Sequence, residues 1–270
     1  MKNLIGKTAI VTGASRGIGV HIVDYLTKNS INVIGIARSI EGLRATANIV
    51  KNNIGEFSYL EFDLSNTSKI SNLVDQIKNV DYLINNAGIE IYREFQNYQF
   101  DELEKIIKVN LIGPMELTRQ LITQIKQKKG HIINIASLAG KKGVIYNGVY
   151  SATKSGLILW SDALDQELKK SGVGVTAICP GYIAETGMFN DGGYPPPPFL
   201  GESDPRKVGK AVIDAITTKK KEIIVNSGPI RPLLAIAQIF PSLSDTIINW
   251  FGVPELCRKR AFESKGGNRI

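Results

Sequence analysis

The sequence predicts a doubly wound α/β fold of about seven parallel strands, and three observations carry that prediction. Short apolar runs rich in Val and Ile alternate with amphipathic stretches over most of the 270 residues. The runs are apolar at odd and even positions alike, as strands covered on both faces must be. A glycine-rich turn stands between the first run and the first helical stretch. Parallel neighbours need a crossover, and helices joined right-handedly supply it.

In chain order, strands are expected at Thr8–Thr12, Asn32–Ala37, 57–62, 81–85, 131–136, 173–179 and 222–226. Helices are expected between them at 17–28, 41–52, 67–78, 100–128, 148–171 and 205–219. Two segments break the rhythm. Residues 187–201 hold Gly192, Gly193 and the run Pro195 to Pro198, which reads as a surface loop at a strand's carboxyl end, placed to act as a lid. Residues 229–252 are apolar but interrupted by Pro232, Pro241 and Asp245. A membrane span needs about 20 uninterrupted apolar residues, so two short amphipathic helices are expected instead. The reading is one domain over residues 1–228 with a helical extension over 229–270 on or beside it.

Composition excludes several classes. Hydrophobic residues at 43% and charged residues at 21% allow a real core and rule out fibrous or disordered chains. Two cysteines, Cys179 and Cys257, cannot frame a disulfide scaffold. His21 and His131 have no ligand-type neighbours at metal spacing, so no metal site is expected. The net charge of +8 is concentrated at the end, where Arg258, Lys259, Arg260, Lys265 and Arg269 face only Glu263. That reads as a solvated tail, not a nucleic-acid patch. The N-terminal apolar run is too short for a signal peptide, and a cytoplasmic location is expected.

The glycine turn is Thr12-Gly13-Ala14-Ser15-Arg16-Gly17-Ile18-Gly19. Glycines at a strand-to-helix junction let backbone approach a pyrophosphate, whose charge meets the unpaired N–H groups of the helix start. The arrangement is that of a Rossmann-type fold. Where an NAD enzyme places an acid after its second strand, this chain has Arg38. A guanidinium pairs with a 2′-phosphate, and Arg16 stands ready from the other side, so NADP(H) is expected over NAD.

Tyr150 and Lys154 lie four apart at the start of a long helix and share a face. An ammonium beside a phenol favours phenolate, which would bring the hydroxyl toward useful acid–base strength. Ser137 falls just past the fifth strand at the sheet's carboxyl edge, where its hydroxyl could hold a carbonyl oxygen or cap a turn.

Taken together, the glycine turn, Asp63, Asn85-Asn86-Ala87-Gly88, Asn110, Ser137, Tyr150-x-x-x-Lys154 and Pro180-Gly181 resemble the short-chain dehydrogenase/reductase superfamily from about residue 7 to residue 226. The resemblance implies a catalytic tetrad. Tyr150 would give its proton to a carbonyl oxygen that Ser137 holds, Lys154 would hold the nicotinamide ribose, and Asn110 would link Lys154 to solvent through a water. It implies a nucleotide site at Gly13, Ser15, Arg16, Gly17, Ile18, Gly19, Arg38, Asp63, Leu64, Asn86, Ala87, Gly88, Tyr150, Lys154, Pro180, Gly181 and Ile183. The family's carboxamide-binding threonine falls five residues after the proline; here Thr186 lies six after Pro180, a departure that leaves its role open.

Leu138, Ile145, Tyr182, Met188 and Phe189 are expected on the substrate side. Their apolar character suggests a bulky ketone or aldehyde such as a 3-oxoacyl, keto-lipid or steroid-like carbonyl, reduced with NADPH by a homodimer or homotetramer. Two alternatives stand beside this reading. One is a peripheral membrane-associated lipid-carbonyl reductase resting on the C-terminal helices. The other is an NADP-binding sensor or scaffold without turnover, against which the intact tetrad argues.

Overall fold

The computed structural model describes residues 4–191, 193–196, 201–228 and 230–263, with residues 189 and 190 described by backbone alone. Seven parallel strands form one sheet: β1 (Thr8–Thr12), β2 (Asn32–Ala37), β3 (Phe57–Glu61), β4 (Tyr82–Asn85), β5 (His131–Ile135), β6 (Gly174–Pro180) and β9 (Glu222–Val225), in the order β3-β2-β1-β4-β5-β6-β9. A separate parallel pair, β7 (Tyr182–Ile183) and β8 (Glu202–Ser203), lies just beyond β6. The crossovers are α1 (Ile18–Lys28), α2 (Ile40–Val50), α3 (Ile70–Val74), α4 (Phe100–Ile107), α5 (Gly113–Gln127), α6 (Gly148–Leu168) and α8 (Arg206–Thr218).

Successive strand residues point to opposite faces, and each face buries its own cluster. Ala9, Val11 and Val33 meet Ile22, Leu26, Val208 and Val212 of α1 and α8 on one side. Ile10, Leu83, Ile132 and Val175 meet Leu117, Leu121 and Leu164 of α5 and α6 on the other. Each fully buried aliphatic side chain contributes about 1.5–3 kcal/mol. β3 departs from the two-sided expectation: as an edge strand, it leaves Phe57, Tyr59 and Leu60 only part-covered.

The expected single helix over 100–128 is interrupted. A π-helical turn at Lys108–Ile112 separates α4 from α5. Asn110 sits within it, fully buried, and such turns widen the helix to present backbone or side chains inward. Asn134 of β5 donates to Ser161 of α6 at 2.8 Å and so registers the long α6 against the sheet.

The expected loop over 187–201 contains a short helix, α7 (Gly187–Asp191). Gly192 and residues 197–200 lie outside the described residues. The stretch 229–252 holds the two expected helices, α9 (Ile230–Ile239) and α10 (Pro241–Trp250), and a third, α11 (Val253–Phe262), follows them. Pro232, Pro241 and Pro254 stand in the first turns of these helices, where no intrahelical N–H is lost, so each proline starts a helix. The third helix runs through the first half of the segment read as a solvated tail; Lys265 and Arg269 lie outside the described residues. Lys142 pairs with Asp245 at 2.8 Å, and Gln238 donates to the Lys141 carbonyl at 3.2 Å, tying α10 and α9 to the turn after β5. Among the described residues no helix is long and apolar enough to cross a membrane.

Candidate active site

β1 and β4 are neighbours whose crossovers leave in opposite directions, which opens a crevice at their carboxyl ends. The glycine turn leaves β1 there. Gly13 and Gly17 hold φ of 68° and 60°, a left-handed region that disfavours side chains. A Cβ on Gly19 would lie 2.0 Å from the Gly13 carbonyl oxygen, so only glycine closes this turn. Gly17 caps α1 without a side-chain hydrogen bond, leaving the helix's first N–H groups for an anion. Thr12 braces the turn against the next loop: its Oγ1 accepts from the Asn86 and Ala87 N–H groups, both at 3.0 Å. Asn86 Nδ2 in turn donates to the Thr12 carbonyl at 2.9 Å.

These residues wall one end of a cavity of about 960 Å³. Ser15, Arg16, Ile18, Arg38, Asp63, Leu64, Gly88, Pro180, Gly181 and Ile183 line it together with the turn, so the structure brings the expected nucleotide residues to one place. Arg38 is exposed at its mouth. Arg16 departs from expectation: it pairs with Asp191 of α7 instead of standing open. Gly181 has no room for a side chain, since a Cβ there would meet Asn226 Oδ1 at 2.3 Å. The residues fit a dinucleotide phosphate: a glycine cradle, an uncapped helix start and an arginine after β2.

Further along the same cavity lie Ser137, Tyr150 and Lys154. The Tyr150 hydroxyl hydrogen-bonds with Ser137, whose Oγ also accepts from the Ala139 N–H at 3.1 Å. Ser137 is therefore a turn cap and a tyrosine partner at once. Lys154, fully buried beneath, donates from Nζ to the Ile135 carbonyl at 2.8 Å and lies 5.6 Å from the Tyr150 ring centre. Asn110 bonds both backbone groups of Ile89 at 2.8 Å and donates to Thr153 Oγ1 at 3.2 Å. A Cβ on Gly88 would stand 3.4 Å from Lys154 Nζ and 3.5 Å from Asn110 Oδ1, so these three residues converge.

Burial dominates the electrostatics of the pair. Burial pushes the Tyr150 phenol above its ordinary range; the Glu90 carboxylate raises it further, while the Ser137 hydrogen bond and Arg260 oppose the rise. Burial also brings Lys154 itself down to about 8. The hydroxyl is thus held protonated at neutral pH, the form a proton donor needs.

The family model described as short chain dehydrogenase matches residues 7–193. The chain is a short-chain dehydrogenase/reductase. It is accordingly an oxidoreductase acting on the CH–OH/C=O couple. Among its relatives is the ketoacyl reductase HetN of a Nostoc species, 46% identical over 97% of this chain and 94% of that protein. A metagenomic short-chain oxidoreductase crystallised with NADP is 30% identical, with a TM-score of 0.69 over 83% of this chain and 98% of its own. An actinorhodin polyketide ketoreductase variant with NADPH is 27% identical, with a TM-score of 0.74 over 83% and 97%.

Of the expected substrate residues, Leu138, Ile145, Tyr182 and Met188 line this short-chain dehydrogenase's cavity; the Phe189 side chain lies outside the described residues. Thr186 lines it too, against Gly17 of the glycine turn. Sequence reasoning missed a second group on the substrate side: Glu90, Tyr92, Asn147 and Arg260. The helices after residue 229 close over the substrate-side residues: Leu234, Ala237, Ile247, Ile248 and Phe251 form the far wall of the cavity. An apolar helical stretch after the last strand was the available signal for that wall.

Proposed function

We propose that this chain is an NADPH-dependent reductase of bulky apolar ketones or aldehydes, a 3-oxoacyl or lipid-like carbonyl being the best fit. The carrying observation is a buried Tyr150 beside Ser137 at the junction of two ends of one cavity, a glycine-cradled anion site and an apolar chamber under α9 and α10. Gly13, Gly17 and Gly19 with the start of α1 would hold the pyrophosphate, Arg38 the 2′-phosphate, and Asp63 and Leu64 the adenine side. The bound nucleotide supplies hydride; the protein supplies placement and the proton. Ser137 orients the carbonyl oxygen, and Tyr150 donates its proton to that oxygen as negative charge develops. Lys154 holds a polar, cation-capable group under the phenol, and Asn110 keeps the loop after β4 and the start of α6 in register. The ketoacyl reductase HetN and the NADP-bound neighbours support this reading.

Fluorescence titration tests the cofactor. NADPH is expected to bind at least about tenfold tighter than NADH, about 1.4 kcal/mol, and Arg38→Asp is expected to erase the preference. Equal affinities in the wild type would remove the phosphate assignment. A panel of 3-oxoacyl thioesters, aliphatic ketones and polycyclic ketones then reads the chamber, with the longer apolar substrates expected to show the lower KM.

A further inference from the structure

Arg260 belongs to a segment whose charge looks like a solvated tail, yet it is 5% exposed. It lies on the buried face of α11 with Leu256 and Cys257. Its guanidinium stacks over the Tyr92 ring, 4.5 Å from the centre, and donates to the Tyr92 hydroxyl at 3.2 Å. It also donates to Glu90 Oε1 at 3.3 Å and to the Met188 carbonyl at 2.9 Å. Three segments far apart in sequence are thus held by one planar fork: the loop after β4, α7, and the C-terminal helices.

The chain of bonds continues to the chemistry. The other Glu90 oxygen, Oε2, accepts from Asn147 Nδ2 at 3.1 Å. Asn147 is the residue before α6, and its carbonyl accepts the Ser151 N–H at 3.0 Å, closing the first turn of the helix that carries Tyr150. A carboxylate at this helix start is favoured by the helix dipole, and the asparagine is 1% exposed. Charge around the pair comes from Lys154 of α6 and Asp191 of α7, with the phenols of Tyr92 and Tyr150 and the thiol of Cys257 beside them.

We propose that Arg260 is a positioning residue of the active site: through Glu90 and Asn147 it sets the first turn of the catalytic helix, and through the Met188 carbonyl it holds α7 over the cavity. The C-terminal helices are then part of the reaction chamber. The inference rests on the carbonyl-reductase reading for its kinetic consequences alone. Losing the fork frees α7 and the chamber wall, and with α7 the Arg16–Asp191 pair, while the brace of Thr12 and Asn86 keeps the glycine turn itself in place.

The test uses the full chain with NADPH bound and the variants Arg260→Met, Glu90→Gln and the double variant. Arg260→Met is expected to raise hydrogen exchange at residues 143–150 and 187–191 and to raise KM for the carbonyl roughly tenfold or more, with a smaller change in NADPH affinity. Glu90→Gln removes the carboxylate that faces the Arg260 guanidinium near Tyr150. The pH limb of alcohol oxidation, which reports loss of the Tyr150 proton, should therefore move to lower pH and return in the double variant. A merely structural role would leave that limb in place. Wild-type exchange and KM in Arg260→Met, or an unmoved limb in Glu90→Gln, would overturn the proposal. Should Arg260→Met not fold, Glu90→Gln and its pH limb decide. Exchange needs no turnover, so a wild type that reduces no carbonyl refutes the carbonyl-reductase reading and still leaves the positioning role open to this measurement.

Discussion

Burial does most to define the chemistry of single residues in this cavity. Lys154 is 2% exposed and brought down to about 8 from 10.5. Below pH 8 the folded protein must carry a buried cation that the unfolded chain keeps in water. Between pH 8 and 10.5 only the unfolded chain still binds that proton, so folding gains as pH rises. Wild type measured against Lys154→Met should therefore gain on the order of 3 kcal/mol between pH 7 and the ordinary lysine range, read from denaturant unfolding at each pH. Parallel stability curves would show that the lysine titrates normally. At this scale the placement of the tyrosine, lysine, serine and glycines in one cavity was legible in the sequence, because it follows from short spacings at the end of a strand or the start of a helix. Glu90 and Arg260 were not. Each reads alone as a surface charge, and the contact that buries them joins positions 170 apart.

Among the elements, the turn between β1 and α1 is the most tightly specified. Gly13 and Gly19 leave no space for a methyl group, and Thr12 and Asn86 lock the turn to the loop after β4. Gly19→Ala should force the turn open, costing about 1–3 kcal/mol of stability and at least about tenfold in NADPH affinity, as thermal unfolding and fluorescence titration would show. Wild-type binding by that variant would mean the turn is not the anion cradle. Strand and helix order was readable because apolar periodicity is local. The π-helical turn around Asn110 was not, since it depends on what α4 and α5 pack against. Nor was α11: a proline near its start and a basic sequence look alike in a solvated tail and in a helix with one buried face. The five-residue α7 likewise begins at a glycine with φ of 84°, a turn signal that hid the helix after it.

For the whole molecule, the order β3-β2-β1-β4-β5-β6-β9 puts both functional halves along one edge. The nucleotide residues follow β1, β2 and β4; Ser137 follows β5, and Pro180 and Gly181 close β6. The C-terminal helices then turn an open crevice into a chamber lined by apolar side chains on the side away from the glycines. On the proposed function, cofactor binds at one end, the carbonyl at the other, and Tyr150 donates the proton between them. The most direct test compares wild type and Tyr150→Phe with NADPH and a carbonyl that the wild type reduces. Tyr150→Phe should bind NADPH as tightly as the wild type while its turnover falls by roughly 10²–10⁴-fold; turnover at the wild-type rate would contradict the assignment of Tyr150 as the proton donor.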